Sequence, residues 1–197
     1  MSTTARRLFS LVFFALAVPG MLIAQAKVAP LDSLFTRTEA MIPMRDGAQL
    51  FTVILTPRQR TAEPLPIILS RTPYGTSSWG GTAGMEYGFQ ELIHEGYIFV
   101  LQDIRGRNKS QGTFVMNRAP CQRRGEGCLD EATDTWDTIE WLVANVPGNN
   151  GRVGQLGISY PGWLTNASAF EPHPALKALS PQATMGSAWI GDDFFHK

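Results

Sequence analysis

Charge is scarce in this sequence. Only 17% of its 197 residues are Asp, Glu, Lys or Arg, and the 17 basic side chains cancel the 17 acidic ones. No basic stripe is left to neutralise phosphates, which sets nucleic acid aside as a partner. Cysteine is scarcer still: two residues, both within Cys121-Gln-Arg-Arg-Gly-Glu-Gly-Cys128. That spacing is not a C-x-x-C knuckle and no second ligand pair exists, so a metal centre lacks a framework. Long apolar runs are missing too. The strongest covers residues 8–18 with Ser10 as its one polar member. It is about half of the roughly 20 residues that span a bilayer. What remains is ample: 44% of residues are hydrophobic. That is enough to offset chain entropy, so intrinsic disorder is excluded. The length allows one domain, or one and part of another.

Residues 1–26 read as a cleavable leader. Arg6 and Arg7 form a basic start, the apolar run follows, and Pro19-Gly20 break it. Ala24-Gln25-Ala26 places small residues where a signal peptidase reads, predicting cleavage after Ala26 and a secreted or periplasmic product. The run is too short for a stable membrane anchor. The remaining stretch, 27–197, loses two arginines and carries a net charge of −2. An exported chain meets oxidising conditions, so a disulfide between Cys121 and Cys128 is the favoured reading over metal binding.

The body alternates strands and helices. Residues 38–43 and 49–56 read as strands around Met44-Arg45-Asp46-Gly47, a hairpin signal. Residues 65–70 (LPIILS) and 97–102 (YIFVLQ) are continuous apolar runs, expected of strands covered on both faces. Between them lie a Gly/Ser-rich loop at 74–84 and a helical pattern at 86–94. After a loop over 105–127 comes the clearest helix, 131–146, with Ala132, Trp136, Ile139 and Val143 marking an apolar face. Asp130 is its N-cap and Pro147-Gly148 its stop. A strand at 153–158, a helix at 162–170 and a strand at 176–179 complete the series. This order predicts an α/β fold: a mostly parallel sheet, helices between strands, a leading β-hairpin.

The chemistry concentrates at Ser159. Val153-Gly-Gln-Leu-Gly157-Ile158-Ser159-Tyr160-Pro161-Gly162 reads as strand, sharp turn, helix. Such an elbow projects a serine hydroxyl above the sheet edge, and the helix N-terminus favours a developing oxyanion. The usual pattern is G-x-S-x-G. Here the second glycine comes one residue late, with Pro161 in its place. Taken alone, the match is weak, and a serine N-cap at a strand–helix junction fits it too.

Longer stretches sharpen the reading. MIPMRDGAQLFTVILTP, ILSRTPYG, GYIFVLQDIRGRNKSQGTF, DEATDTWDTIEWLVANVPGNNGRVGQLGISYPGW, EPHPALKALSPQ and WIGDDFFH run in order from Met41 to His196. Together they resemble the α-amino-acid ester hydrolases. The wider family includes cocaine esterases, glutaryl-cephalosporin acylases and X-Pro dipeptidyl-peptidases. The resemblance implies the N-terminal part of an α/β-hydrolase fold, with helices on both sheet faces, and a serine hydrolase acting on carboxylic esters or amides. It implies Ser159 as nucleophile, the Tyr160 backbone N–H as one oxyanion donor and the Tyr74 hydroxyl as the other. It implies Asp193, in Trp189-Ile-Gly-Asp192-Asp193, as a carboxylate for a substrate's α-ammonium. The turn Asp103-Ile104-Arg105-Gly106 resembles a family D-x-R-G turn, read as loop scaffolding through an Asp–Arg pair. X-Pro peptides and simple esters are the alternative substrates.

A serine needs a base, and the base needs an orienting acid. Only His173 and His196 follow Ser159, and neither matches the family's base; His94 precedes it. The acid, the histidine, the cap and the C-terminal β domain of the family are thus expected beyond residue 197. The alternative is a non-catalytic short chain. No cofactor or metal is implied: residues 78–84 (SWGGTAG) lack the P-loop lysine and the dinucleotide spacing. The expected partner is a small-molecule ester or amide, with a homo-oligomer of the full-length form left open.

Overall fold

The computed structural model describes residues 31–59, 62–77, 89–122 and 127–185. The leader, residues 78–84, residues 86–88 of the helical pattern at 86–94, Asp193 and His196 lie outside them. The elements, in chain order, begin with α1 (Leu31–Leu34), β1 (Phe35–Pro43), β2 (Gln49–Pro57) and β3 (Leu65–Thr72). Next come α2 (Gln90–Ile93), β4 (Ile98–Asp103), α3 (Glu131–Asn145) and β5 (Asn149–Ile158). The series ends with α4 (Tyr160–Ala167), a 3-10 turn (Ser168–Phe170) and β6 (Leu176–Gln182).

One sheet of six strands has the order β1-β2-β4-β3-β5-β6. The hairpin β1–β2 is antiparallel and joins β4 antiparallel. From β4 onward every pairing is parallel. Gly47, with φ +85°, makes the tight turn that Asp46-Gly47 announces. The parallel strands point their C-terminal ends to one edge, which therefore collects the loops after β3, β4 and β5.

Strand alternation sends successive side chains to opposite faces. Ile67, Leu69, Ile98 and Val100 pack with Ile139 and Leu142 of α3 and with Val146, which caps its end, on one face. Phe51, Val53, Phe99 and Leu101 pack with Phe35 and Ile93 on the other, beside α1 and α2. Each such fully buried side chain contributes about 1.5–3 kcal/mol of burial. Helices on both faces are as the sequence led one to expect. Among the described residues no helix is long and apolar enough to cross a membrane.

The buried stripe of α3 differs from the anticipated one. Ala132 and Ile139 are buried, but Trp136 and Val143 are only partly so. The stripe instead includes Glu131, Asp134, Thr135, Thr138 and Leu142. Apolar periodicity could not find it, because its N-terminal half is polar. The cap is as read: the Asp130 carboxylate accepts from Thr133 N–H at 2.9 Å, and Thr133 Oγ1 accepts from Asp130 N–H at 2.9 Å. Five strands run longer than anticipated, and β5 and β6 show why. β5 starts at Asn149, which pairs with Leu65 and donates to the Val143 and Val146 carbonyls at the end of α3. β6 runs on through Pro181, tolerated because β6 is the last strand of the described sheet and needs no N–H on its outer side.

Candidate active site

Ser159 sits at the junction of β5 and α4 with φ 63° and ψ −123°. An L-residue holds such a backbone only where its surroundings over-determine it. Four bonds and contacts do so here. Ser159 N–H donates to the Gln182 carbonyl of β6 at 3.0 Å, and the Ser159 carbonyl accepts from Trp163 N–H at 2.9 Å. A Cβ on Gly157 would drive into the Pro161 carbonyl, and one on Gly162 would drive into the Gln182 carbonyl. The late glycine is thereby explained. Gly162 is where α4 crosses the backbone of β6, so the small residue belongs there and Pro161 is free to occupy the first turn. Proline suits that turn, whose N–H groups have no partner within the helix.

Ser159 is exposed at the sheet edge, and Tyr160 is buried behind it. As first residue of α4, Tyr160 has a backbone N–H without an intrahelical acceptor. Its ring packs on Trp163 with centroids 5.4 Å apart, and its hydroxyl accepts from Asn117 N–H at 3.0 Å. Burial raises the Tyr160 phenol above its ordinary pKa, and nearby Glu131 and Tyr74 raise it further. Tyr74 follows β3, which is hydrogen-bonded to β5. The fold thus brings Tyr74 and the Ser159–Tyr160 elbow to the C-terminal ends of adjacent strands. The Tyr74 side chain is 54% exposed.

The turn after β4 corrects one reading. Asp103 and Arg105 do not pair with each other. The Asp103 carboxylate accepts from Thr76 N–H at 2.9 Å and from Lys109 N–H at 3.3 Å. Burial raises its pKa, against those two bonds. Arg105 points the other way, forking onto Asp134 at 3.0 and 2.7 Å and onto Asp46 at 2.6 and 3.1 Å. Alternation explains the split: side chains two apart on a strand share a face only while the strand lasts, and β4 ends at Asp103.

A buried polar cluster beneath this edge was missed in the sequence. Arg71, fully buried in β3, donates to Gln102 Oε1, to the Glu131 carbonyl and to Thr135 Oγ1, each at 2.9 Å. Its guanidinium lies 3.1 Å from Glu131 Oε2 and 3.8 Å from Asp134 Oδ2. Gln102 continues the chain to Thr52 at 3.1 Å and Thr138 at 2.9 Å. Burial raises the Glu131 pKa despite Arg71 beside it. An arginine in an apolar strand that ends at a loop was the available signal.

The described histidines are elsewhere. His173 Nδ1 accepts from Ala175 N–H at 3.0 Å, Nε2 lies 2.7 Å from Glu140 Oε2, and the ring packs on Trp136. Both nitrogens are thus engaged, at the start of β6, one strand length (roughly 20 Å) from Gln182. His94 caps the end of α2 and is exposed. Cys121 and Cys128 are joined in a disulfide with Cα atoms 5.9 Å apart. Asp130 lies beside them, accepting from Cys121 N–H at 2.9 Å. The three residues cluster tightly enough to suggest a metal, but disulfide sulfurs offer no thiolate.

A strained serine between strand and helix, in a chain with this strand order, meets a family profile. The profile of the X-Pro dipeptidyl-peptidase (S15) family matches residues 46–197. The chain belongs to that family. Among S15 relatives, the cocaine esterase of Rhodococcus sp. (strain MB1 Bresler) is 30% identical over 151 residues, covering 77% of this chain and 24% of that protein. A solved α-amino acid ester hydrolase is 40% identical with a TM-score of 0.71, covering 90% of this chain and 30% of that one. An aminopeptidase from a marine sediment archaeon, Thaumarchaeota archaeon, is 40% identical with a TM-score of 0.72, covering 88% of this chain and 30% of that one. The chain spans 24% to 30% of these relatives' lengths. The S15 assignment and these structures bear out the α/β-hydrolase sheet, here in its N-terminal part.

Proposed function

We propose that this S15 chain carries the nucleophile and oxyanion hole of a serine hydrolase that cleaves carboxylic esters or amides through an acyl-enzyme. Ser159 Oγ attacks the carbonyl carbon. The carbonyl oxygen becomes an oxyanion received by the Tyr160 N–H and the Tyr74 hydroxyl. The leaving alcohol or amine departs, and water then releases the acid from Ser159. Each oxyanion donor is worth roughly 10²–10³ in kcat. The observation that carries this reading is the strained Ser159 backbone, which Gly157, Gly162 and Gln182 hold at the sheet edge. The base and its acid are proposed to come from the longer protein.

The favoured substrates are α-amino-acid esters and amides of the β-lactam side-chain type. The support is that two structures at 40% identity are named an α-amino acid ester hydrolase and an aminopeptidase, both for substrates bearing an α-amino group. Asp193 is the proposed partner of that ammonium, which needs an opposite charge to offset its lost hydration. Export, with the leader cleaved after Ala26, is part of the same proposal, and an N-terminus at Lys27 in the mature protein tests it. In the full-length protein, Ser159→Ala is expected to lower kcat by at least about 10³-fold. Phenylglycine methyl ester is expected to be hydrolysed faster than phenylacetate methyl ester. Retained turnover by Ser159→Ala overturns the nucleophile; equal rates on the two esters overturn the ammonium site alone.

A further inference from the structure

The proposed oxyanion donor Tyr74 raises a mechanical question. Its side chain is mostly exposed, and it lies in a short irregular loop after β3. Packing does not fix it, yet an oxyanion hole works only if its donors are held in place. The backbone on either side of Tyr74 supplies the constraint. The Pro73 carbonyl accepts from Arg107 Nε at 3.0 Å and from Asn108 Nδ2 at 3.2 Å. Tyr74 N–H donates to Thr72 Oγ1 at 3.1 Å. Thr76 N–H donates to Asp103 Oδ1 at 2.9 Å. Tyr74 therefore sits between two tethers, and both run to the single turn that follows β4.

That turn is itself anchored. Its Ile104 N–H donates to the Thr72 carbonyl at 3.1 Å, and Gln111 N–H donates to the Gln49 carbonyl of β2 at 2.9 Å. Ser110 Oγ donates to the Asp103 carbonyl at 2.6 Å and accepts from Phe51 N–H at 2.8 Å. Asp103 is buried and stands opposite Thr72 in the parallel register, where its carboxylate reaches both Thr76 and Lys109. Asn108, with φ 49°, curls the turn so that its side chain lies beneath Gly75.

We propose that Asp103 is a positioning residue for catalysis: its carboxylate fastens the Tyr74 loop to the β4 turn and so sets the place of the Tyr74 hydroxyl. This rests on the reading of Tyr74 as oxyanion donor. Asn108 and Arg107 act with it through Pro73. A carboxylate accepts on both oxygens, whereas an asparagine presents an amide N–H to one of the two backbone N–H groups. A misplacement of about 1 Å in a catalytic group can cost roughly 10²-fold in rate.

The test is a double-mutant cycle in the full-length protein with p-nitrophenyl acetate as substrate. Asp103→Asn is expected to lower kcat by about 10–100-fold while KM moves less than about two-fold. Tyr74→Phe is expected to lower kcat by about 10²-fold or more. In the Tyr74→Phe background, Asp103→Asn is expected to cost less than about two-fold, because there is no hydroxyl left to misplace. An unchanged cost in that background overturns the proposal while leaving Tyr74 as donor. A Tyr74→Phe enzyme with wild-type kcat overturns the oxyanion reading and the proposal with it. Asn108→Gly suits the left-handed backbone and removes the side-chain bonds to the Pro73 carbonyl and to Asp103 while leaving the Asp103 carboxylate in place. It carries the same cycle if Asp103→Asn does not fold, with a several-fold loss that must likewise vanish beside Tyr74→Phe.

Discussion

The sheet face under α3 has two ends of opposite character. Toward the start of the parallel strands it is apolar: Ile67, Leu69, Ile98 and Val100 meet Ile139, Leu142 and Val146. Toward their finish the same strands and the same helix turn polar. Arg71 follows Leu69 in the alternation, Gln102 follows Val100, and Thr138, Thr135 and Glu131 replace the aliphatic residues of α3. Both ends are equally buried. The apolar end is held by area removed from water and has no preferred partner for any atom. The polar end is held by bonds of fixed direction, and any partner lost leaves a buried group unsatisfied. The second kind of packing lies under the edge that carries Ser159, Tyr74 and Asp103. Direction is what a site needs, and bulk burial alone does not supply it.

That contrast can be broken in measurable ways. The largest effect is expected for Arg71→Ala, which strands Glu131 in the interior, while Asp134 keeps Arg105, and costs about 3–5 kcal/mol. Adding Glu131→Gln should recover part of the loss, since the stranded charge goes. At the apolar end, Leu142→Ala should cost about 2–5 kcal/mol, and a neutral polar partner beside it should recover nothing. Denaturant unfolding of the full-length variants reads both, and a Glu131→Gln change that deepens the Arg71→Ala loss would sink the distinction.

A middling effect is expected from replacing Cys121 and Cys128 by serine. The closed loop is short, and chain-entropy estimates give about 2 kcal/mol for it. Because Asp130 both receives Cys121 N–H and caps α3, the loss should register first as fraying of the helix start near Glu131. Amide hydrogen exchange at residues 131–134 would detect it, and unchanged protection there would refute the link.

The smallest effect concerns acid. Arg105 holds the Asp46 carboxylate below its ordinary pKa, chiefly through their hydrogen bonds. A lowered folded pKa gives stability that is fully present above the unfolded value, about 3.9, and is lost as pH falls through the folded one. Asp46→Asn should therefore flatten the acid limb of the stability curve between about pH 4 and the folded pKa. Leu142→Ala should lower that curve without changing its slope. An acid limb of unchanged steepness in Asp46→Asn would remove Asp46 from the account.

The apolar end was legible in the sequence and the polar end was not, for one physical reason. Periodicity reports hydrophobic burial, so LPIILS, YIFVLQ and the Asp46-Gly47 hairpin gave the strands and their order of appearance. It misplaced the buried stripe of α3 because Glu131 and Thr135 are as buried as Ile139 yet look exposed in a sequence. It passed over Arg71 for the same cause. The elbow was legible through Gly157 and Ser159, and the late Gly162 became intelligible only when Gln182 was seen across from it. The Asp103–Arg105 pair was read from the turn's resemblance to a D-x-R-G pattern, and such a pattern says nothing about side-chain direction once a strand has ended. Pro181 hid the length of β6, since edge placement is a property of topology.

The acceptor for Ser159 N–H, the Gln182 carbonyl, is made about twenty residues later during synthesis. Contacts of that separation close only after the intervening α4 and β6 exist. A nascent chain that has emerged just past Ser159 has nothing to hold the serine in its taut backbone, and the residue rests in an ordinary relaxed one. The proposed nucleophile is therefore assembled late by the order of translation, and an unfinished chain carries Ser159 uncocked.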